Sequence, residues 1–130
     1  MKHCIQIGKF SLVAFLILTG CRPTEVLLND TGLRIKGMYG VTIPYVNIEQ
    51  IDTLTALPKI SMKTNGYALG KTLIGNFKFK DHSRAKLFVK KGFKPYVVIK
   101  SKETVPVYLN FEDRTRTAEL YNRLLKETTK

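Results

Sequence analysis

Gly75-Asn76-Phe77-Lys78-Phe79-Lys80-Asp81-His82-Ser83-Arg84-Ala85-Lys86-Leu87-Phe88-Val89 is the stretch that decides the fold. Its first six residues alternate, with aromatics at 77 and 79 and lysines at 78 and 80. Alternation marks a strand with one buried and one wet face. Asp81-His82-Ser83 carries turn chemistry, and Arg84 to Val89 read as the next strand. If the two strands pair through that turn, Lys78 and Lys80 lie on one face, and Arg84 and Lys86 share a parity that lets them join it.

The same grammar extends to both sides. Val26-Leu27-Leu28 and Leu33-Arg34-Ile35-Lys36 flank Asn29-Asp30-Thr31-Gly32, a hairpin signal. Tyr39 to Ile43 ends at Pro44, and Ile48 to Leu57 stops at Pro58. Lys59 to Thr64 runs into Asn65-Gly66, which predicts a turn. Gly66, Gly70 and Gly75 punctuate a stretch that reads as a mobile loop. There Tyr67-Ala68-Leu69 and Leu73-Ile74 either expose apolar groups or let Leu69 and Leu73 cap the core. Tyr96 to Lys100 and Thr104 to Asn110 complete the strands. Pro106 cannot donate to a ladder, so the last strand is expected at an edge or with a bulge there. The period then changes to helical. Asp113 is the N-cap candidate, and Thr117, Leu120, Tyr121, Leu124 and Leu125 form the apolar stripe of a helix of about fourteen residues. A helix that short needs a surface to pack on.

This order resembles a bacterial pleckstrin-homology domain. The resemblance is carried by Val41-Thr42-Ile43-Pro44-Tyr45-Val46-Asn47-Ile48-Glu49-Gln50-Ile51, Lys63-Thr64-Asn65-Gly66, Gly75-Asn76-Phe77, Tyr96-Val97-Val98-Ile99 and Tyr108-Leu109-Asn110, and spans residues 25–126. It implies a mainly β fold with one C-terminal helix: a PH-like barrel of about seven antiparallel strands in two near-orthogonal sheets, capped by the helix. It implies no single ligand and no catalytic signature, and fold likeness alone does not assign function.

The first twenty residues read as an address. Lys2 and Lys9 precede the nine-residue run Phe10 to Leu18, which has the size of a signal-peptide core and is too short to span a bilayer. Leu18-Thr19-Gly20-Cys21 follows and looks like the lipobox of bacterial lipoproteins. That resemblance implies cleavage between Gly20 and Cys21 and attachment of acyl chains at Cys21. Two competing readings are an uncleaved signal anchor, in which Lys9 would be costly in lipid, and an ordinary signal peptide followed by an ordinary cysteine. The organisation expected is a lipoprotein signal peptide at 1–20, a short tether at 21–25 and the PH-like domain at 26–130. The protein is then expected in the bacterial cell envelope, extracytoplasmic, held to a membrane through Cys21.

Composition narrows the function. A hydrophobic content of 44% excludes wholesale disorder, and two cysteines exclude a disulfide scaffold. No metal site is expected, because Cys4 lies in the leader, Cys21 is taken by lipid and one histidine remains. No cofactor is expected either. Asp81-His82-Ser83 holds three triad residue types, but adjacent residues in a turn do not face one another as a triad requires. Gly70-Lys71-Thr72 resembles the end of a phosphate loop, yet position 65 is Asn and a strand follows where a helix is needed. Glu112-Asp113 is explained by a helix start. An enzyme is the weakest of the functional readings.

Charge remains. The chain carries +12, and between Lys59 and Lys102 twelve cations face only Asp81. Lys78, Lys80, Arg84 and Lys86 are the candidate basic face, for anionic lipid headgroups or an acidic partner protein. The alternative is a solvated basic face that only discourages aggregation. Nucleic acid is not expected, since the address is extracytoplasmic and Phe77, Phe79 and Phe88 read as core. A structural envelope lipoprotein working through protein partners, without lipid recognition, is the other function the sequence allows.

Overall fold

The computed structural model describes residues 25–102 and 104–129. Gly20 and Cys21, with the expected cleavage and acylation site, the leader and the tether up to Thr24, lie outside the described residues.

Nine strands and one helix follow in order. They are β1 (Glu25–Leu28), β2 (Gly32–Lys36), β3 (Val41–Pro44), a 3-10 turn at Tyr45–Asn47, β4 (Ile48–Leu54), β5 (Ile60–Leu69), β6 (Thr72–Phe79), β7 (Arg84–Lys90), β8 (Tyr96–Ser101), β9 (Thr104–Leu109) and α1 (Arg114–Thr128). Strands β1-β2-β3 form one sheet, and β4-β8-β9-β7-β6-β5 form the other. The fold is mainly β with one C-terminal helix, in keeping with a PH-like architecture.

Two details differ from the simplest version of that architecture. Nine strands stand where about seven are implied, and the β7–β9 pair is parallel. The parallel pair arises because the chain leaves β7 and skips one strand position to lay β8 beside β4. Strand β9 then folds back antiparallel to β8 into the vacant position. Two reversals restore the direction of β7. Pro106 therefore lies in an interior strand. The bulge alternative applies: the β8–β9 register is irregular between Ile99 and Ser101, and β7 pairs with β9 only from Val107 onward.

Strands β4 and β5 are the edges of the larger sheet, yet residues 55–59 are all that joins them. A flat six-stranded sheet would separate its edges by about 24 Å across the strands alone, whereas six Cα steps reach about 21 Å at most. The sheet must curl. Its inner side encloses Leu73, Phe77, Phe79, Ala85, Leu87, Val89, Tyr96, Val98 and Tyr108, with Leu54, Leu57 and Ile60 packed against them. The Phe79 and Tyr108 rings meet edge to face at 5.5 Å. The outer side carries Ile74, Phe88, Val97, Ile99, Val107 and Leu109, covered by Leu33, Ile35 and Ile43 of the small sheet and by Leu120 and Leu124 of the helix.

Local chemistry holds the ends. Asn29 Oδ1 accepts from the backbone N–H groups of Thr31 at 2.8 Å and Gly32 at 2.9 Å, closing the first hairpin. Asp113 caps α1 by accepting from the Thr115 N–H at 2.9 Å. Buried Asn110 accepts from the Lys90 N–H and donates to the carbonyls of Lys90 and Phe93. It thereby satisfies the backbone of the β7–β8 link.

The expected turn at Asn65-Gly66 is absent: both residues lie inside β5. Chain reversal occurs four residues later, at Gly70, whose φ of 60° is left-handed. The Asn-Gly pair marks a close approach. A Cβ at Gly66 would sit 2.2 Å from the Ile74 carbonyl oxygen, and one at Gly75 would sit 2.5 Å from the Gly66 Cα. The expected loop at 66–75 is thus the β5–β6 hairpin. Leu73 and Ile74 are buried in it, whereas Leu69 is 74% exposed and caps nothing.

Candidate functional site

The outer face of β6 and β7 is built from facing pairs. Ile74 lies opposite Phe88, Asn76 opposite Lys86, and Lys78 opposite Arg84. The first pair is buried beneath the small sheet and helix. The other two lie past that cover. Lys78 and Lys86 are half-buried and Arg84 is exposed. Phe77 and Phe79 point the other way, into the inner cluster.

Three of the four sequence-derived cations therefore share one contiguous face. Lys80 stands apart in the β6–β7 turn, where its backbone N–H donates to the Lys59 carbonyl at 2.8 Å. Lys86 has a second contact: its Nζ donates to the Tyr39 carbonyl at 3.3 Å, tying the face to the β2–β3 turn. The Arg84 side chain makes no ion pair or hydrogen bond among the described residues. The ion pairs seen lie elsewhere: Lys36–Glu25, Lys90–Glu112 and Arg123–Glu127.

Beside Arg84 the face is notched. The β5–β6 register shifts between Lys63 and Asn65, and a cavity of about 380 Å³ opens there, lined by Thr64, Asn65, Asn76, Phe77, Arg84, Ala85 and Val105. The bulge exposes polar groups that a regular ladder would use. Thr64 Oγ1 donates to the Asn76 carbonyl at 3.1 Å, and Asn76 Nδ2 reaches the Asn65 carbonyl only at 3.4 Å. An unpaired guanidinium beside an under-used amide, over apolar walls, suits one carboxylate or phosphate group. Thr64, Asn65 and Asn76 join the site only through the fold: the one local sign is Asn65-Gly66, whose chemistry also fits a turn.

The remaining sequence candidates take structural roles. Asp81 accepts from Ser83 Oγ at 2.6 Å and from the Ser83 N–H at 2.9 Å. These bonds hold its carboxyl below the ordinary range. His82, at φ 75°, completes the turn and does not bridge Asp81 to Ser83. Thr72 begins a strand, so Gly70-Lys71-Thr72 has no helix N-terminus to offer phosphate. Lys71 lies over the Phe93 ring at 5.8 Å. Among the described residues, no group of three or more His, Cys, Asp or Glu could hold a metal ion, and no helix is long and apolar enough to cross a membrane.

Residues 24–109, more than half of the chain, match the family model of the bacterial PH domain, and the chain belongs to that family. The match ends at Leu109, before α1. PH domains are in general non-catalytic modules for binding or scaffolding. No curated protein and no solved structure matches the chain.

Proposed function

We propose that this chain is a membrane-anchored binding module: residues 1–20 are removed, Cys21 is acylated, and the basic outer face engages the phosphates of anionic lipid headgroups in the cell envelope. The observation that carries the proposal is the Lys78–Arg84 and Asn76–Lys86 pairing on an uncovered face, with an unpaired arginine at the rim of a notch. Like charges opposed across strands repel unless solvent or an anionic partner screens them. An acylated chain confined to a bilayer meets such a partner at high local concentration, and two acyl chains hold it there almost permanently.

Two experiments test the two halves. Cys21→Ser abolishes metabolic labelling with a fatty acid; unchanged labelling overturns the anchor. A chain lacking residues 1–24 co-sediments with anionic vesicles at low salt and is released as salt rises. Failure to bind at low salt overturns lipid recognition.

A second reading is supported by β5. This ten-residue strand is an edge of the larger sheet, with Met62, Tyr67 and Leu69 exposed along it. An envelope lipoprotein working through a protein partner would add a strand there. Crosslinking at Leu69 in native envelopes that captures a partner, combined with no vesicle binding, selects this reading.

A further inference from the structure

We infer that the tip of the β2–β3 hairpin, Met38, is a wedge that enters the bilayer to which the chain is tethered and sets the basic face against it. This inference rests on the anchoring reading above. Three observations converge on it.

The first is position. Glu25, the first residue of β1, lies directly opposite Lys36, the last of β2, and Gly37 to Gly40 turn the chain immediately beyond. The tip and the origin of the tether are therefore at the same end of the small sheet. Covalent geometry limits the Cys21 to Glu25 span to about 14 Å. A lipid at Cys21 would keep the bilayer within a few residues of the tip.

The second is presentation. Met38 is 89% exposed, more than any other large apolar residue described. A lone exposed methionine is ordinary, but this one is held out by a rigid turn. The Gly40 N–H donates to the Gly37 carbonyl at 3.0 Å, and Gly37 adopts φ 122°. A Cβ at Gly40 would strike the Ile35 carbonyl oxygen at 2.2 Å. The neighbouring Tyr39 packs inward on the core, so the turn is fixed on one side while Met38 projects from the other.

The third is charge. Lys36 precedes the tip, and Lys86 reaches the Tyr39 carbonyl at 3.3 Å. An apolar point beside cations matches the order of a membrane surface, headgroup phosphate outside and acyl chain inside. From Lys86 the face continues to Asn76, Lys78 and Arg84, so a seated tip brings the notch towards the headgroup layer. Val46, 82% exposed, lies beyond the other end of β3 and serves as the internal control.

The chain contains no tryptophan, so single probes read cleanly. Met38→Trp and Val46→Trp are made in the full chain, purified from membranes and reconstituted in vesicles of phosphatidylglycerol and phosphatidylcholine, with the mass of the mature chain measured on the same sample. The expected result is blue-shifted emission at position 38, quenched by bromines placed high in the acyl chains, with water-like and unquenched emission at position 46. An acylated chain whose two probes respond alike overturns the wedge and leaves the anchor standing. A mature chain without acyl mass overturns the anchor and the wedge with it. Wild-type protein supplies a readout free of substitution. Peroxide oxidises Met38 more slowly on the vesicles than in the soluble chain lacking residues 1–24, and equal rates overturn the wedge.

Discussion

Ile74 and Phe88 face each other across β6 and β7, and four residues further along β6, on the same side, Lys78 and Arg84 do the same. The backbone is shared, yet one pair is buried and the other meets solvent. The change falls where the small sheet and the helix stop covering the outer face. In the covered part, apolar contact with Leu33, Ile43 and Leu124 stabilises the fold. In the open part cations face each other across the ladder, an arrangement that contributes little to folding. Burial selects the first set of side chains. Burial does not select the second, and the open half is therefore where the proposed lipid contact is placed.

The comparison breaks most visibly under substitution in the covered half. Phe88→Ala removes a buried ring and leaves a cavity beneath the small sheet, so unfolding stability in urea falls by about 3–5 kcal/mol. Lys78→Ala, Arg84→Ala and Lys86→Ala combined do the opposite. They change unfolding stability by less than about 1 kcal/mol. At about 1 kcal/mol per cation near an anionic surface, they weaken vesicle binding roughly a hundredfold at low salt. A triple variant that unfolds readily and still binds would invert the assignment of the two halves.

Asn110 sharpens the boundary. It is polar but buried, and it satisfies the Lys90 N–H and the Phe93 carbonyl where β9 meets the β7–β8 link. Asn110→Ala strands those groups and costs about 2–3 kcal/mol of stability, read by urea melting, with vesicle binding of the folded fraction unchanged. Lost binding at full folding would show that the link belongs to the site.

What the chain discloses before folding follows the range of its interactions. The β6–β7 hairpin, the Asn29 turn and the Asp113 cap are local chemistry, and all are legible from neighbouring residues. The parity that groups Lys78, Arg84 and Lys86 needs only the strand period and one turn. Lys80 leaves the group because the strand ends one residue before it, and strand ends are set by pairing partners. The place of β9 between β7 and β8 is non-local, so Pro106 discloses a defect in a ladder without disclosing its location. Asn65-Gly66 is ambiguous for a related reason. The residues that permit a turn also permit two backbones to approach, and only the partner Gly75 decides between them. The notch was illegible because it is the product of that bulge, and Asn110 because its three partners lie 17 to 20 residues away in sequence.

The smallest effect is expected at Tyr45, on the covered side of the comparison. Its hydroxyl donates to the Asn29 carbonyl at 2.8 Å, fastening the 3-10 turn to the first hairpin. Tyr45→Phe loses that bond while the ring still fills its place, so stability drops by about 1 kcal/mol. The same residue gives the covered half a pH dependence. Burial, aided by the nearby Glu127 carboxylate, holds the Tyr45 phenol above its ordinary 10.0, and burial likewise raises Tyr108 in the inner cluster. A raised phenol keeps its proton in the folded state at a pH where the unfolded chain has released it. That stability is fully present below pH 10.0 and is lost as pH rises through the folded value. Melting temperature therefore declines on the alkaline side, and Tyr45→Phe declines less steeply than wild type because one of the two phenols is gone. Parallel alkaline slopes for the two proteins would remove Tyr45 from this account and leave Tyr108 as the phenol under test.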